Sequence, residues 1–439
     1  MAVAGRSVGK ALVSIAGPAG VRDDDASLAA AAIDGIRPSW VVRPGSIEQL
    51  SRVLALAHDA GLAAIPCGSG SALELGSPPA RADLVLDLRG LDQVIEYNPA
   101  DLTVTVQAGV SAGALAARLA PHRQWLALDP PDAAARTLGG IAATNASGPL
   151  RARYGTLRDL LLGVRFVQAD GVVTWGGSKV VKSVSGYDVP KLMVGALGTL
   201  GVLGELTLRL HSLPDVERSW LVLAASAAEA QDFVERVIAS PLQPSRIELF
   251  NDEALRALGA ESTGAGVAVS IGSVSEAVRE QGERLGAMAK IGRARVAPLA
   301  DGFWTAAESA LACPPSWTAL HVVSLADRLA DTAGVIETAA RTMAPSSEVR
   351  LSGCAALGTF RVLLGGAGVA ETAAITTRVR HRIAAIGGSA VIARGTVELR
   401  KAVDPWGPVE PGSFALMRAL RDEFDPRRVL NPGRYVGGL

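Results

Sequence analysis

The hydrophobic pattern becomes regular near residue 40. Trp40-Val41-Val42 is a continuous apolar triplet ahead of Arg43, as a short buried strand requires. Pro44-Gly45-Ser46 turns the chain, Ser46 with Gln49 three residues on forms an N-cap, and apolar residues at helical spacing predict an amphipathic helix over Ile47–Ala60. Residues 62–66 return to strand. Strand, helix, strand predicts a right-handed crossover and a parallel pair. Residues 84–88 read as a further buried strand, and 94–97 with 103–107 alternate at period two around Asn98-Pro99-Ala100-Asp101, a hairpin.

A helix over 111–119 leads into a glycine-rich tract at 138–148. Strands at 161–169 and 172–175, joined by Asp170-Gly171, and a last strand at 203–210 complete this half, which ends near Pro214. Beyond it strands are expected at 220–224, 246–250, 267–271, 320–325, 349–364 and 390–394. Helices between them run to about 238, 290 and 343, and over 370–386. Two sheet-and-helix halves follow from that alternation, and no short-period repeat is visible. Residues 1–36 are alanine-rich with acidic Asp23-Asp24-Asp25, and support only a short helix over 26–33. The organisation expected is α+β: a leader at 1–36, a first domain at 37–213, an α+β cap at 214–418, and a tail at 419–439.

A chain of 439 residues supports two to four domains. Its 43 basic side chains balance 43 acidic ones, which removes the global attraction that a nucleic-acid binder uses. Cys67, Cys313 and Cys354 are far apart and odd in number, so this chain's thiols alone build neither a disulfide framework nor an iron–sulfur or zinc site. No apolar run reaches membrane-spanning length and no secretory signal is visible, so a cytoplasmic setting is expected.

The 48 glycines exceed ordinary usage, and their positions carry the chemistry. Pro66-Cys67-Gly68-Ser69-Gly70-Ser71 follows a strand directly, where consecutive backbone N–H groups can cradle an anion. A tight turn explains this loop equally well when it is taken alone. No Gly-Lys-Ser/Thr ends it, so it is not a P-loop, and no third glycine opens a helix as in the usual dinucleotide fingerprint. A longer small-residue tract holds Pro130-Pro131, Thr137-Leu138-Gly139-Gly140, Asn145-Ala146-Ser147-Gly148 and Tyr154-Gly155. Gly195, Gly198, Gly201 and Gly204 form a third group. Three such surfaces in one domain point to a long ligand held by backbone contacts, most naturally a dinucleotide.

These loops, with Lys182-Ser183-Val184-Ser185-Gly186-Tyr187-Asp188, Gly198-Thr199-Leu200-Gly201-Val202, Phe424-Asp425-Pro426 and Asn431-Pro432-Gly433, resemble the FAD-binding fold of the vanillyl-alcohol oxidase and p-cresol methylhydroxylase (PCMH) superfamily. Within it the chain is most similar to the FAD-binding E subunit of glycolate oxidase. The resemblance covers the chain from about Trp40. It implies a two-subdomain PCMH-type FAD-binding domain followed by a cap of the FAD-linked oxidase C-terminal type. It puts the pyrophosphate on residues 67–72 (Cys67, Gly68, Ser69, Gly70, Ser71 and Ala72), with Pro66 beside them. The ribityl and isoalloxazine portions fall near Pro131, Thr137, Leu138, Gly139, Gly140, Ala143 and Gly148, and the adenine side near Gly198, Gly201 and Val202. Asn431 returns from the tail to the flavin domain.

Two departures matter. The first loop lacks the histidine that tethers FAD in some members, so non-covalent FAD is expected, with cysteinyl attachment at Cys67 left open. Relatives that oxidise D-2-hydroxy acids carry a histidine metal motif and a Glu-His-Gly turn, whereas this chain has no paired histidines in its second half and reads Ala393-Arg394-Gly395 at the turn. No metal site is therefore expected. Arg394 is a candidate for holding a substrate carboxylate or stabilising reduced flavin, and is as readily a surface arginine. Trp406 in Asp404-Pro405-Trp406-Gly407 is a candidate wall of the flavin or a core residue. The resemblance implies work in a complex on a small glycolate-like 2-hydroxy acid, beside a second FAD subunit and an iron–sulfur subunit, with the flavin taking a hydride from the acid or, since the turn lacks its proton acceptor, more readily electrons from the partner chain. Any membrane association is expected to be peripheral, through those subunits. A self-sufficient FAD oxidoreductase and a structural subunit without cofactor stay open as alternatives.

Overall fold

The computed structural model describes residues 2–178, 186–261 and 264–439. Residues 182–185 of the Lys-Ser-Val-Ser-Gly motif therefore lie outside the described residues.

The first sheet has four strands. Trp40–Val42, Leu84–Asp87 and Ala64–Cys67 lie side by side in parallel, and Val21–Arg22 pairs antiparallel with the first of them. The helix Ile47–Ala60 supplies the crossover. Ser46 Oγ accepts from Gln49 N at 3.2 Å, Gly61 ends the helix at φ 65°, and Ile47, Leu50, Val53, Leu54 and Ala57 are buried on one face. The leader is part of this unit. A helix Ala2–Ala16, which the alanine-rich composition concealed, buries Leu12 in the same core, and the short helix falls at Asp25–Ala30.

The second sheet is antiparallel, in the order Val94–Asn98, Thr103–Gln107, Val202–Arg209, Leu161–Val167 and Val173–Gly177. Thr105 and Thr207 hydrogen-bond across it at 3.0 Å, away from solvent. The helix Leu138–Thr144 lies between the two sheets and brings the long glycine tract to their junction.

The cap contains one sheet of eight antiparallel strands built from two halves of β-α-β-β-α-β order, the first with an added short helix, Asp252–Ala257, between its middle strands. The first half contributes Val216–Ala224, Arg246–Asn251, Ala265–Ser273 and Arg295–Pro298. The second contributes Thr318–Val323, Glu348–Cys354, Thr359–Gly365 and Ser389–Arg394. Residues 349–364, expected as one strand, are two strands with a turn between them. Arg246–Asn251 pairs with Glu348–Cys354 at the seam, placing Glu248 opposite Cys354 and Phe250 opposite Ser352. Strand alternation divides the faces. Ile247, Leu249, Leu351, Phe360 and Val362 enter the core under the helices, while Arg246, Glu248, Phe250, Ser352, Cys354 and Arg361 face the first domain.

The C-terminal segment returns to the first domain. Ala64 N donates to Val429 O at 2.7 Å and Asn431 N to Ala64 O at 3.0 Å, extending the edge of the first sheet. Arg421, fully buried, pairs with Asp425 at 3.0 Å and donates to the carbonyls of Thr199 and Leu430. Arg400 ties the cap to the leader through a buried ion pair with Asp34.

Candidate functional site

Two clefts meet where the domains join. The first, about 780 Å³, lies between the two sheets of the flavin-binding half. The loop after Ala64–Cys67 forms one wall, the start of Leu138–Thr144 another, and Gly198, Val202 and Asn431 close it. Thr137 caps the helix, its hydroxyl accepting from Gly140 N at 3.2 Å. The two loops touch there, because a methyl on Gly68 would overlap that same hydroxyl and one on Gly139 would sit 2.8 Å from the Ala108 Cβ. Gly70 takes φ 79°, a backbone conformation that favours glycine.

Three buried polar atoms of this cleft have no partner among the described residues: Asn431 Oδ1, Arg434 Nη1 and Arg136 Nε. Asn431 is fixed through its Nδ2, which donates to Leu197 O. Arg434, 3% exposed, donates to Leu73 O at 2.5 Å and Leu75 O at 3.0 Å, gripping the glycine-loop segment, yet forms no ion pair among the described residues. Burial pulls its pKa down to about 10. A diphosphate supplies the acceptors these guanidinium groups lack, and a nucleotide supplies a donor for the amide oxygen. The cleft therefore fits FAD. Burial raises the pKa of the Cys67 thiol, which keeps it in the form least able to attach to a cofactor.

The second cleft, about 1020 Å³, is roofed by the cap sheet and walled by Pro131, Gly148 and Arg151 of the first domain and by the helix Phe303–Ala310. The clefts adjoin at Arg136, which lines the first and donates at 3.5 Å to the carbonyl of Pro131, which lines the second. A side chain on Gly148 would overlap the Asp129 carbonyl. Asp129 in turn accepts from Arg246 Nε at 3.0 Å and Leu150 N at 2.9 Å. Arg246 also binds Glu217 at 2.9 Å and lies over the Trp304 ring, so its charge is matched.

Arg361 differs. It donates to Leu311 O at 2.8 Å and forms no ion pair among the described residues. Directly across the sheet is His321. Burial, and then the Arg151 cation, hold the His321 pKa down to about 4, so its imidazole is neutral and keeps a lone pair. Burial, reinforced by Asp129, drives the Glu248 pKa well above the usual carboxylate range.

Most of the expected cofactor residues line the first cleft together: Pro66, Cys67, Gly68, Ser69, Gly70, Ser71, Ala72, Thr137, Gly139, Gly140, Ala143, Gly198, Val202 and Asn431. Pro131 and Gly148 line the second. Leu138 points into the core, and Gly201 packs beneath Phe166, so neither side lines a cleft. The two catalytic candidates are placed elsewhere. Arg394 pairs with Glu74 at 2.6 Å and donates to Cys313 O at 2.9 Å, bracing the cap against the glycine loop. Trp406 donates to Arg434 O at 3.0 Å, packs on Tyr435 and anchors the tail. Arg361 and Arg151 face the second cleft without an ion pair among the described residues, and the sequence reading missed both, together with Arg434 and His321. Arg434 follows Asn431-Pro432-Gly433 directly and was within reach of that motif. His321 and Arg361 are brought together only by sheet register. Among the described residues no group of three His, Cys, Asp or Glu side chains could hold a metal, and no helix is long and apolar enough to cross a membrane.

A backbone-lined dinucleotide cleft beside a charged, sheet-roofed cleft defines a flavin-dependent oxidoreductase. Residues 38–177 match the family FAD binding domain, and 399–435 match FAD linked oxidases, C-terminal domain. The chain therefore carries an FAD binding domain and the C-terminal domain of FAD linked oxidases, and FAD is its cofactor. It is 28% identical to the probable mitochondrial D-lactate dehydrogenase of Danio rerio, over 91% of this chain and 84% of that protein. It is 29% identical to glycolate oxidase subunit GlcD of Bacillus subtilis, over 57% and 54% of the two chains. It is 35% identical to the D-2-hydroxyglutarate dehydrogenase of Xanthomonas citri pv. viticola, over 50% and 46%. The chain thus spans about half the length of these two bacterial relatives. Among solved structures, alkyldihydroxyacetonephosphate synthase superposes with a TM-score of 0.77 at 17% identity, covering 98% of this chain and 86% of that one. p-Cresol methylhydroxylase with substrate bound also scores 0.77, at 15% identity, covering 98% and 96%. Both show the shared fold.

Proposed function

We propose that this chain oxidises a small 2-hydroxy acid bound in the second cleft. The carrying observation is Arg361, an arginine without a carboxylate partner, standing across one strand pair from the neutral His321. A substrate carboxylate matches the Arg361 fork, and its 2-hydroxyl gives its proton to His321. FAD, when bound, would supply the acceptor for the hydride of the same carbon, so that loss of the proton and of the hydride together would leave a 2-oxo acid. Burial and the Arg151 cation depress His321, and an arriving carboxylate, as a nearby anion, favours its protonated form and makes it a better proton acceptor just when one is needed. Pro131 and Gly148, to which the family resemblance assigns the flavin ring, wall this cleft. The relatives named as D-lactate and D-2-hydroxyglutarate dehydrogenases support the reaction class. Substrate-dependent flavin reduction should fall steeply in His321→Gln at unchanged FAD content. An unchanged rate would remove His321 from the reaction.

The assembly we infer is of the glycolate-oxidase kind, in the cytoplasm, with a second FAD subunit and an iron–sulfur subunit receiving the electrons. Its support is the similarity to proteins named as glycolate oxidase subunits. Affinity purification of the chain from its own cells tests this: flavin and iron–sulfur chains should co-purify, and full turnover to a terminal acceptor by the isolated chain would contradict it.

A further inference from the structure

We propose that the second cleft selects a 2-hydroxy acid that carries a second carboxylate, held by Arg151 and the carboxyl of Glu248. This rests on reading that cleft as the substrate site.

The argument is a charge balance. Arg246 is matched by Asp129 and Glu217. Glu308 is exposed at the rim and accepts from Asp132 N at 2.5 Å. Two cations remain, Arg361 and Arg151, and neither forms an ion pair among the described residues. Arg151 donates to Ser147 Oγ at 3.3 Å, and its Nε is buried without a partner. The two stand on different walls: Arg361 on the strand Thr359–Gly365 of the cap, Arg151 on the short helix Arg151–Tyr154 of the first domain. A monocarboxylate satisfies one guanidinium and leaves the other uncompensated in a partly desolvated site. A dicarboxylate satisfies both.

Glu248 adds a second, independent observation. It is 8% exposed, it lines the cleft, and its Oε2 is buried with no hydrogen-bond partner among the described residues. The charged and titratable groups around it are Asp129 and Arg151 from the first domain, Arg246 on its own strand, Cys354 on the paired strand, and His321 and Arg361 farther along the sheet. Burial and the Asp129 carboxylate keep it protonated, so it offers an O–H donor and no charge. A carboxylate oxygen is the acceptor that donor lacks. As pH rises and Glu248 ionises, it places an anion beside the diacid and weakens binding.

The holoprotein should be titrated by calorimetry with succinate and glutarate against acetate and butyrate, and assayed anaerobically with malate and 2-hydroxyglutarate against glycolate and lactate. The diacids should bind and reduce the flavin with an advantage of about tenfold or more. Arg151→Met should remove that advantage. Glu248→Gln, which keeps a donor, should preserve the diacid preference and abolish its weakening at alkaline pH. Equal binding of diacids and monoacids, or an advantage that survives Arg151→Met, would overturn the proposal. Preferential diacid binding without flavin reduction would support it and contradict the oxidation reading alone.

Discussion

The two clefts are made of different materials. The first is backbone and small side chains from loops that are compact in sequence, with Arg136 and Arg434 added at its edge. The second takes its polar groups from segments far apart in the chain: Arg246 and Glu248 from strands of one half of the cap, His321 and Arg361 from strands of the other, Asp129 and Arg151 from a loop and a short helix of the flavin-binding half. A ligand held by main-chain groups demands glycine at fixed local spacings, which a sequence displays openly. A ligand held by charged side chains needs only that they converge, and convergence belongs to the sheet register. The same difference should appear as two kinds of mutational sensitivity.

The largest effect is expected in the backbone cleft. Gly68→Val drives a branched side chain into the Thr137 hydroxyl, and Gly139→Val drives one against the Ala108 backbone carbonyl, where neither neighbour can move freely. Both variants should purify without FAD and with a lower melting temperature, because lost ligand stabilisation adds to overpacking costs of about 1–3 kcal/mol. FAD absorbance and thermal melts read this directly. In the side-chain cleft, Arg361→Met should spare FAD content. It should slow substrate-dependent flavin reduction by the equivalent of about 2–5 kcal/mol, the usual cost of removing one partner of a desolvated charged pair.

Arg434→Met should be intermediate and should affect the other cleft. Loss of hydrogen bonds from a buried guanidinium costs about 1–3 kcal/mol, and the readout is weaker FAD retention on dialysis with substrate selectivity intact. The pH dependence is smaller but signed. His321 takes up a proton near pH 6.5 in the unfolded chain and near pH 4 in the folded one, so its contribution is complete above pH 6.5 and drains as pH falls towards about 4. Melts of His321→Asn should lose less stability across that window than wild type. Smallest of all should be Arg394→Ala. Its pair with Glu74 is 37% and 46% exposed, where such pairs are worth at most about 1 kcal/mol, and flavin reduction should change little.

What the sequence displayed and what it hid follow the same division. The helix Ile47–Ala60 was legible because its cap and its apolar face agree, and the hairpin at 94–107 because its turn interrupts a clean period of two. The helix Ala2–Ala16 was concealed because alanine and glycine give little amphipathic contrast, and Phe303–Ala310 because eight residues are too few to establish a period. The run 349–364 read as one strand because its tight turn, Ala355 to Gly358, is itself largely apolar. Arg394 attracted a catalytic reading by its place in a local motif. Arg361 had no motif, and its role becomes visible only when register sets it opposite His321.

The most direct test mixes the purified holoprotein anaerobically with 2-hydroxy acids and follows flavin absorbance in wild type, Arg361→Met and Arg394→Ala, each at matched FAD content. The structure predicts bleaching in wild type, nearly equal bleaching in Arg394→Ala, and a loss of about thirtyfold or more in rate for Arg361→Met. Equal rates in wild type and Arg361→Met, or a collapse confined to Arg394→Ala, would contradict the assignment of the second cleft as the substrate site.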